Sequence, residues 1–202
     1  MKKQREDTSD LQRLVDECLT AFVHAGTIEL SLDQIARQVG VSKRMLIHYF
    51  GGREEIEERA MTLLELRLRA QFSPEVFGAS AAPATVVAAL WARTTAPEAR
   101  GVLLLVMDLS RRAWSGSSRA RAFYAEQQRL WVQLLMTYIP SSPAVEELLH
   151  QFQGAVLAFL VTGDAEPGKR SLMGFLAKLL PRRAEGLTSS RSLKEGDSYD
   201  GR

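Results

Sequence analysis

The chain has 202 residues, 46% of them hydrophobic, and its 26 Lys and Arg against 24 Asp and Glu leave a formal charge of +2. A chain of this length and apolar content buries a real core and divides most naturally into a small unit and a larger one. So slight a charge excludes a basic bulk as the means of holding nucleic acid, and the lone Cys18 excludes an internal disulfide.

Met1 to Ser9 is polar, with Lys2, Lys3 and Arg5 ahead of any periodicity. It reads as a flexible arm, either a solvated tail or a basic strand for phosphates or a minor groove. It has no apolar region of signal-peptide type, and no apolar run in the chain is long enough to span a bilayer, so the expected location is the cytoplasm, without membrane contact. From the capping residue Asp10, a helical face of Leu11, Leu14, Val15, Cys18, Leu19 and Phe22 runs to Gly26 and buries the thiol. His24 has no partner at metal-ligand spacing, and neither a metal nor a cofactor is expected.

Ser31 to Arg53, SLDQIARQVGVSKRMLIHYFGGR, holds two short helices around a tight turn. Ser31 and Gln34 form a capping box, with Leu30 and Ile35 at the staple positions. Gly40 supplies the positive φ that ends the first helix. Ser42 caps the second, and Val41 with Leu46 repeats the staple. Leu46 and Phe50 face inward, whereas Lys43, Arg44, Ile47 and His48 recur at spacings that share the opposite face. Nothing acidic lies between Lys43 and Arg53. A helix in a major groove has to offer donors to phosphates and base edges and no carboxylate to the polyanion, which this face satisfies. An ordinary solvated amphipathic helix has the same pattern.

The segment LSLDQIARQVGVSKRMLIHYFGGREEI resembles the N-terminal domain of TetR-like transcriptional regulators, and the likeness covers Leu11 to Ala70. In that family a capped helix, a G-V-S turn, an aromatic-rich recognition helix and a K/R-E-E helix start follow in order. Gly40-Val41-Ser42, Leu46, His48-Tyr49-Phe50 and Arg53-Glu54-Glu55 stand at those places here. The resemblance implies that Ser42, Lys43, Arg44, His48, Tyr49 and Arg53 contact DNA, Tyr49 and Arg53 through phosphates. Met45 stands where the family usually has Thr or Ser, and Ile47 where it usually has Tyr. Either Ile47 reads thymine methyls and Arg44 adds contacts, or DNA affinity is weak.

Gly51-Gly52 breaks the recognition helix, and Arg53 to about Phe72 forms the next, with acids at its positive end and Arg67 and Arg69 at its negative end. Apolar residues on more than one side of it suggest a rod wedged between two domains. Ser73 to Pro83 reads as a loop at the boundary. Helices follow at about 84–95, 97–112, 117–139, 143–163 and 167–180, with Pro97, Pro143 and Pro167 in first turns. No segment alternates with period two, so no sheet is expected.

The run Gly101 to Ser110 is apolar almost all round and therefore central. Asp108 inside it needs a partner, which Arg111 or Arg112 at the rim or a cationic ligand can supply. With Asp108, the residues Trp91, Met107, Trp114, Phe123 and Trp131 are the candidates for lining a small-molecule cavity, plain core being the alternative. Leu148, Phe152, Ala155 and Phe159 form one helical stripe, Gly154 and Ala158 a small-residue groove, and Leu172, Phe175, Leu176 and Leu179 the apolar side of the last helix. The resemblance implies that these two helices pack on their symmetry mates, giving a homodimer that presents two recognition helices to a palindromic double-stranded operator.

The expected fold is all-α: a three-helix helix-turn-helix domain at 1–52, a helical ligand-binding and dimerisation domain at 53–182, and a disordered tail at 183–202. The expected function is a repressor whose operator binding a small effector modulates. An enzyme is not expected, because no acid/base pair, nucleophile or glycine loop stands at a recognisable spacing. The alternative is a helical dimer with degraded DNA reading that binds only a ligand or partner.

Overall fold

Caps and glycines punctuate the chain in the computed structural model, which describes residues 2–179, with side chains from Asp10 onward. In order come α1 (Lys2–Ala25), α2 (Leu32–Val39), α3 (Lys43–Phe50), α4 (Arg53–Ala70), α5 (Pro74–Phe77) and α6 (Pro83–Thr94). After a short 3-10 turn at Pro97–Ala99 follow α7 (Arg100–Trp114), α8 (Ser118–Leu135), α9 (Ser142–Thr162) and α10 (Glu166–Leu179). The described residues are all-α, as the sequence indicates, and none of their helices is long and apolar enough to cross a membrane.

Three local expectations change. Helix α1 begins at Lys2, so the segment expected to be a flexible arm is helical backbone over Lys2–Ser9. The boundary loop contains α5, because Ser73 is extended and Pro74 takes the first helical position, where its missing N–H costs nothing. The helix expected over 117–139 ends at Leu135, and the turn after it sends the Tyr138 hydroxyl to donate to Phe72 O at 2.7 Å. The expected tail, 183–202, lies outside the described residues.

Burial divides into two cores. The first is built on Leu14, Cys18 and Phe22 of α1, Ile35 of α2, Leu46 and Phe50 of α3, and Ile56, Ala60, Met61 and Leu64 of α4, joined by Leu105 and Leu109 of α7. The second gathers Phe72, Val86, Trp91, Leu103, Tyr138, Leu148, Leu172 and Leu176. A cut at residue 52 therefore separates chain segments that pack together: α4 is the fourth wall of the first core as well as the rod leading away from it. Helix α7 also serves both cores, and it approaches α1 closely because Gly101 has no side chain; a Cβ there would lie 2.3 Å from Val23 O. Gly168 plays the same part for α10, where a Cβ would lie 2.4 Å from the Trp91 ring.

Candidate nucleic-acid interface and second-domain cavity

The helix pair is fixed by its own backbone chemistry. Ser31 Oγ accepts from the Gln34 N–H at 3.3 Å while Gln34 Oε1 accepts from the Ser31 N–H at 2.8 Å, and Gly40 ends α2 at φ 75°. Ser42 Oγ then accepts from the Met45 N–H at 3.1 Å and starts α3. Each such cap is worth about 1 kcal/mol. The rotation of α3 is set by Leu46 and Phe50, which are buried in the first core. That leaves Ser42, Lys43, Arg44, Met45, Ile47 and His48 exposed together, with Ile47 44% and Met45 42% accessible. Met45 is not among the candidates that the sequence nominates, although its helical position beside Arg44 carries it to the same side.

Three of the candidates already have partners within the chain. Tyr49 is half-buried against the first core, with the His48 ring edge-on to it at 5.4 Å. Lys43 Nζ rests 3.0 Å from Asp33 Oδ2 on α2, an exposed pair that phosphate can replace at little cost. Arg53 is engaged within the chain: its Nη2 donates to Ile28 O at 3.1 Å and lies 2.6 Å from Glu57 Oε1. It sits one turn from a buried carboxylate, and that carboxylate holds it.

Glu57 belongs to a polar junction between the cores. Arg112 of α7 reaches its Oε2 at 2.8 Å, so Glu57 stands between two guanidinium groups. Beside it, Asp108 Oδ2 accepts from the Thr27 hydroxyl at 2.8 Å and the Ile28 N–H at 3.2 Å, and its Oδ1 accepts from Arg111, which also pairs with Glu29. Burial works to raise the Asp108 pKa, but the bonds from Thr27, Arg111 and Ile28 and the charge of Arg111 outweigh it and hold the carboxyl below its usual range. Asp108 thus binds the loop after α1, and it does not face a ligand cavity.

The second domain contains a partly open cavity of about 550 Å³ lined by α4, α6, α7, α8 and α9. Met107, Phe123 and Trp131 line it, together with Phe72, Val106 and Phe152. Trp91 and Trp114, like Asp108, lie outside it. Trp91 is 2% exposed, donates Nε1–H to Ala165 O at 3.0 Å and meets Phe152 and Phe159 edge-on, so it is core. Trp114, at the end of α7, is 89% exposed and faces away from the lining. Sequence reading missed Glu65, which is 8% exposed in the cavity wall. Its Oε2 accepts from Trp131 Nε1–H at 3.0 Å and from Arg69 at 3.4 Å. Burial pushes its pKa up, against the pull of Trp131 and Arg69. The signal was available: a lone acid in the run Leu63-Leu64-Glu65-Leu66, the same anomaly that singled out Asp108.

The stripe expected to face a second copy also packs within the chain. Leu148, Leu172 and Leu176 are at most 2% exposed in the second core. Phe152 lines the cavity, Phe159 packs on Trp91, Ala155 meets Gly168, and Phe175 and Leu179 are half-buried against the same core. The open side of α9 is the other one: Gly154, Leu157, Ala158 and Val161, with Leu157 57% and Val161 78% exposed. Nothing lies within 4 Å of a Cβ built at Gly154 or at Gly174 of α10.

Residues 14–60 match the family model described as bacterial regulatory proteins, tetR family. Over 89 residues, 44% of this chain, the sequence is 32% identical to the HTH-type transcriptional regulator SrpR of Pseudomonas putida and, again over 89 residues at 32% identity, to the uncharacterized HTH-type transcriptional regulator TtgW of a Pseudomonas putida strain. Those stretches span 42% of SrpR and 66% of TtgW. The fold is similar to that of a tetR-family transcriptional regulator from Streptomyces coelicolor, with a TM-score of 0.66 over 85% of this chain and 80% of that one at 18% identity. Residues 14–60, with two capped helices around Gly40 and an exposed cationic face on the second, thus match the tetR-family N-terminal model, and the described chain as a whole is similar in fold to a tetR-family regulator.

Proposed function

We propose that this chain is a DNA-binding transcriptional regulator of the cytoplasm, a homodimeric repressor whose hold on a palindromic operator is altered by a small effector in the second domain. The observation that carries the reading is the outer face of α3, where Lys43, Arg44 and His48 stand exposed around Ile47 on a helix without a carboxylate. Arg44 and Lys43 supply donors for base edges and phosphates, and Ile47 with Met45 supplies apolar contact for thymine methyls. Arg53 serves the junction in this reading, leaving Tyr49 as the phosphate contact at the margin of the face. Pairing of two copies uses the open side of α9 at Leu157 and Val161, where small residues let helices approach.

Effector response follows from shared elements. Met107 lines the cavity, and its neighbour Asp108 grips Thr27 and Ile28, so a displaced α7 moves the attachment of the DNA-proximal core. Half-sites about 34 Å apart tolerate little change in the separation of two recognition helices.

The test is a fluorescence-anisotropy titration of the purified protein with duplexes tiling its own promoter region. Arg44→Ala is expected to weaken binding by about 1–3 kcal/mol if Arg44 reads a base edge. Binding should fall steeply as salt rises. Unchanged affinity in Arg44→Ala with the fold retained overturns the assigned face. Absence of binding even in low salt favours instead a helical dimer with degraded DNA reading, for which the exposed Met45 and Ile47 in place of hydroxyls are the supporting feature.

A further inference from the structure

The walls of the second-domain cavity are mostly hydrocarbon, with the rings of Phe72, Phe123, Trp131 and Phe152 turned toward one space. Phe72 and Trp131 stand 6.2 Å apart between centroids at 47°, packed on each other, so the wall they form offers aromatic surface for the ring of a guest to pack against. Polar groups at the rim largely satisfy one another. Gln127 Oε1 accepts from Arg69, Gln153 Nε2 donates to Gln128 Oε1 at 3.1 Å, and Arg93 pairs with Gln71. Glu65 is different. Both of its donors, Trp131 and Arg69, reach Oε2, and no donor among the described residues reaches Oε1. Glu65 belongs to the cavity lining, so an oxygen without a donor from the protein is available to a donor carried by a guest, which adds a hydrogen bond to a charged acceptor in mostly apolar surroundings.

Resting on the reading of this cavity as the effector site, we infer that it selects a flat, largely apolar aromatic molecule bearing a neutral hydrogen-bond donor, such as a phenolic hydroxyl, with Glu65 Oε1 as the accepting atom. An anionic guest is disfavoured at Oε1, where it would leave water to lie against another carboxylate. A cationic guest is disfavoured because Arg69 already neutralises Glu65, so an ammonium would enter an apolar space beside a guanidinium with no free counter-charge. A neutral donor satisfies Oε1 and adds no charge.

Isothermal titration calorimetry of the full chain without DNA, near neutral pH, decides the matter with four probes on one ring system: naphthalene, 2-naphthol, 2-naphthoate and 2-naphthylmethylammonium. The expected result is 2-naphthol binding about tenfold or more tighter than naphthalene, with both ions weaker than 2-naphthol. In Glu65→Gln the amide carbonyl takes over the bonds from Trp131 and Arg69 and turns its NH2 to the guest, so the advantage of 2-naphthol over naphthalene should shrink severalfold while naphthalene still binds. Tightest binding by the ammonium or the carboxylate, equal binding of naphthol and naphthalene, or no binding by any probe overturns the proposed class. A naphthol advantage that survives Glu65→Gln overturns the assigned atom. Operator binding measured on the same preparations keeps the two readings apart. Loss of the ranking with operator binding intact sinks only the ligand class, and loss of operator binding with the ranking intact sinks only the DNA reading.

Discussion

Removing the carboxylate of Asp108 tests whether that residue is a structural strut or a ligand contact. In Asp108→Ala, Oδ2 no longer accepts from the Thr27 hydroxyl at 2.8 Å and the Ile28 N–H at 3.2 Å. Ile28 is 1% exposed, so its orphaned N–H cannot turn to water. Hydrogen bonds to a charged acceptor contribute about 1.5–3 kcal/mol each, and the exposed Arg111 pair adds little. The two bonds share one oxygen of a half-buried group, so a loss of about 2–4 kcal/mol is expected, and roughly half of it in Asp108→Asn, which keeps one acceptor. Urea unfolding measures this, and a cycle with Thr27→Val should return a coupling of about 1 kcal/mol or more. The pH dependence has a definite sign. Because the folded carboxyl is held below its ordinary value, its contribution is complete above the unfolded-state pKa of about 3.9 and is lost as pH falls through the lower folded value. The stability gap between wild type and Asp108→Asn should therefore be level from about pH 5 upward and close in acid. A loss below about 0.5 kcal/mol in Asp108→Ala, or strict additivity with Thr27→Val, refutes the strut.

Two further outcomes follow from burial. The Cys18 thiol is fully buried and pushed up to about 12, chiefly by burial and then by the charge of Glu17. Reaction with a chromogenic disulfide reagent at mildly alkaline pH should thus be slow in the native protein and follow unfolding, and rapid stoichiometric labelling of folded protein would contradict this. If the open side of α9 pairs two copies, Val161→Glu places a charge in that contact and should shift sedimentation from dimer to monomer without lowering helicity. An unaltered dimer would move the interface elsewhere.

The helices and caps were legible in the sequence because they depend on neighbours in sequence. Ser31 with Gln34, Gly40 and Ser42 fix α2 and α3 through bonds that span three or four residues, and the inward pair Leu46 and Phe50 follows from helical spacing alone. What the pattern could not give was which of two available partners a residue takes. Arg53 fits a phosphate contact by position, and within the chain it is taken up by Glu57 and Ile28 O. Helix α9 is apolar on two sides, and periodicity does not say which side folds inward. The stripe of Leu148 and Phe152 suits a partner chain by its spacing but serves α6, α10 and the cavity wall, which left Leu157 and Val161 for the outside. Trp114 shows the same limit from the other end, since bulk and aromaticity alone point it to a cavity it does not touch.

The two anomalous acids of α4 and the one of α7 explain how the cores can communicate. Glu57, Met61 and Glu65 lie at successive i, i+4 positions, and all three are buried, so one face of α4 carries the junction at one end and the cavity wall at the other. Eight residues of helix put those ends about 12 Å apart on an element that bends little over two turns. Arg112 ties α7 to the first of these positions, while Met107, from the same helix, lines the cavity. A guest that separates α4 from α7 at Glu65 and Met107 therefore pulls on the Glu57 and Arg112 pair, whose rupture would leave a buried carboxylate short of one cation. Because Arg53 still pairs with Glu57 and Arg112 is partly exposed, that rupture costs less than the about 3–5 kcal/mol of a fully buried pair left uncompensated, and falls near the roughly 1–3 kcal/mol that couples sites in most allosteric proteins. On the effector reading proposed above, a rotation of the first core with α7 as a body would keep the pair and move α3.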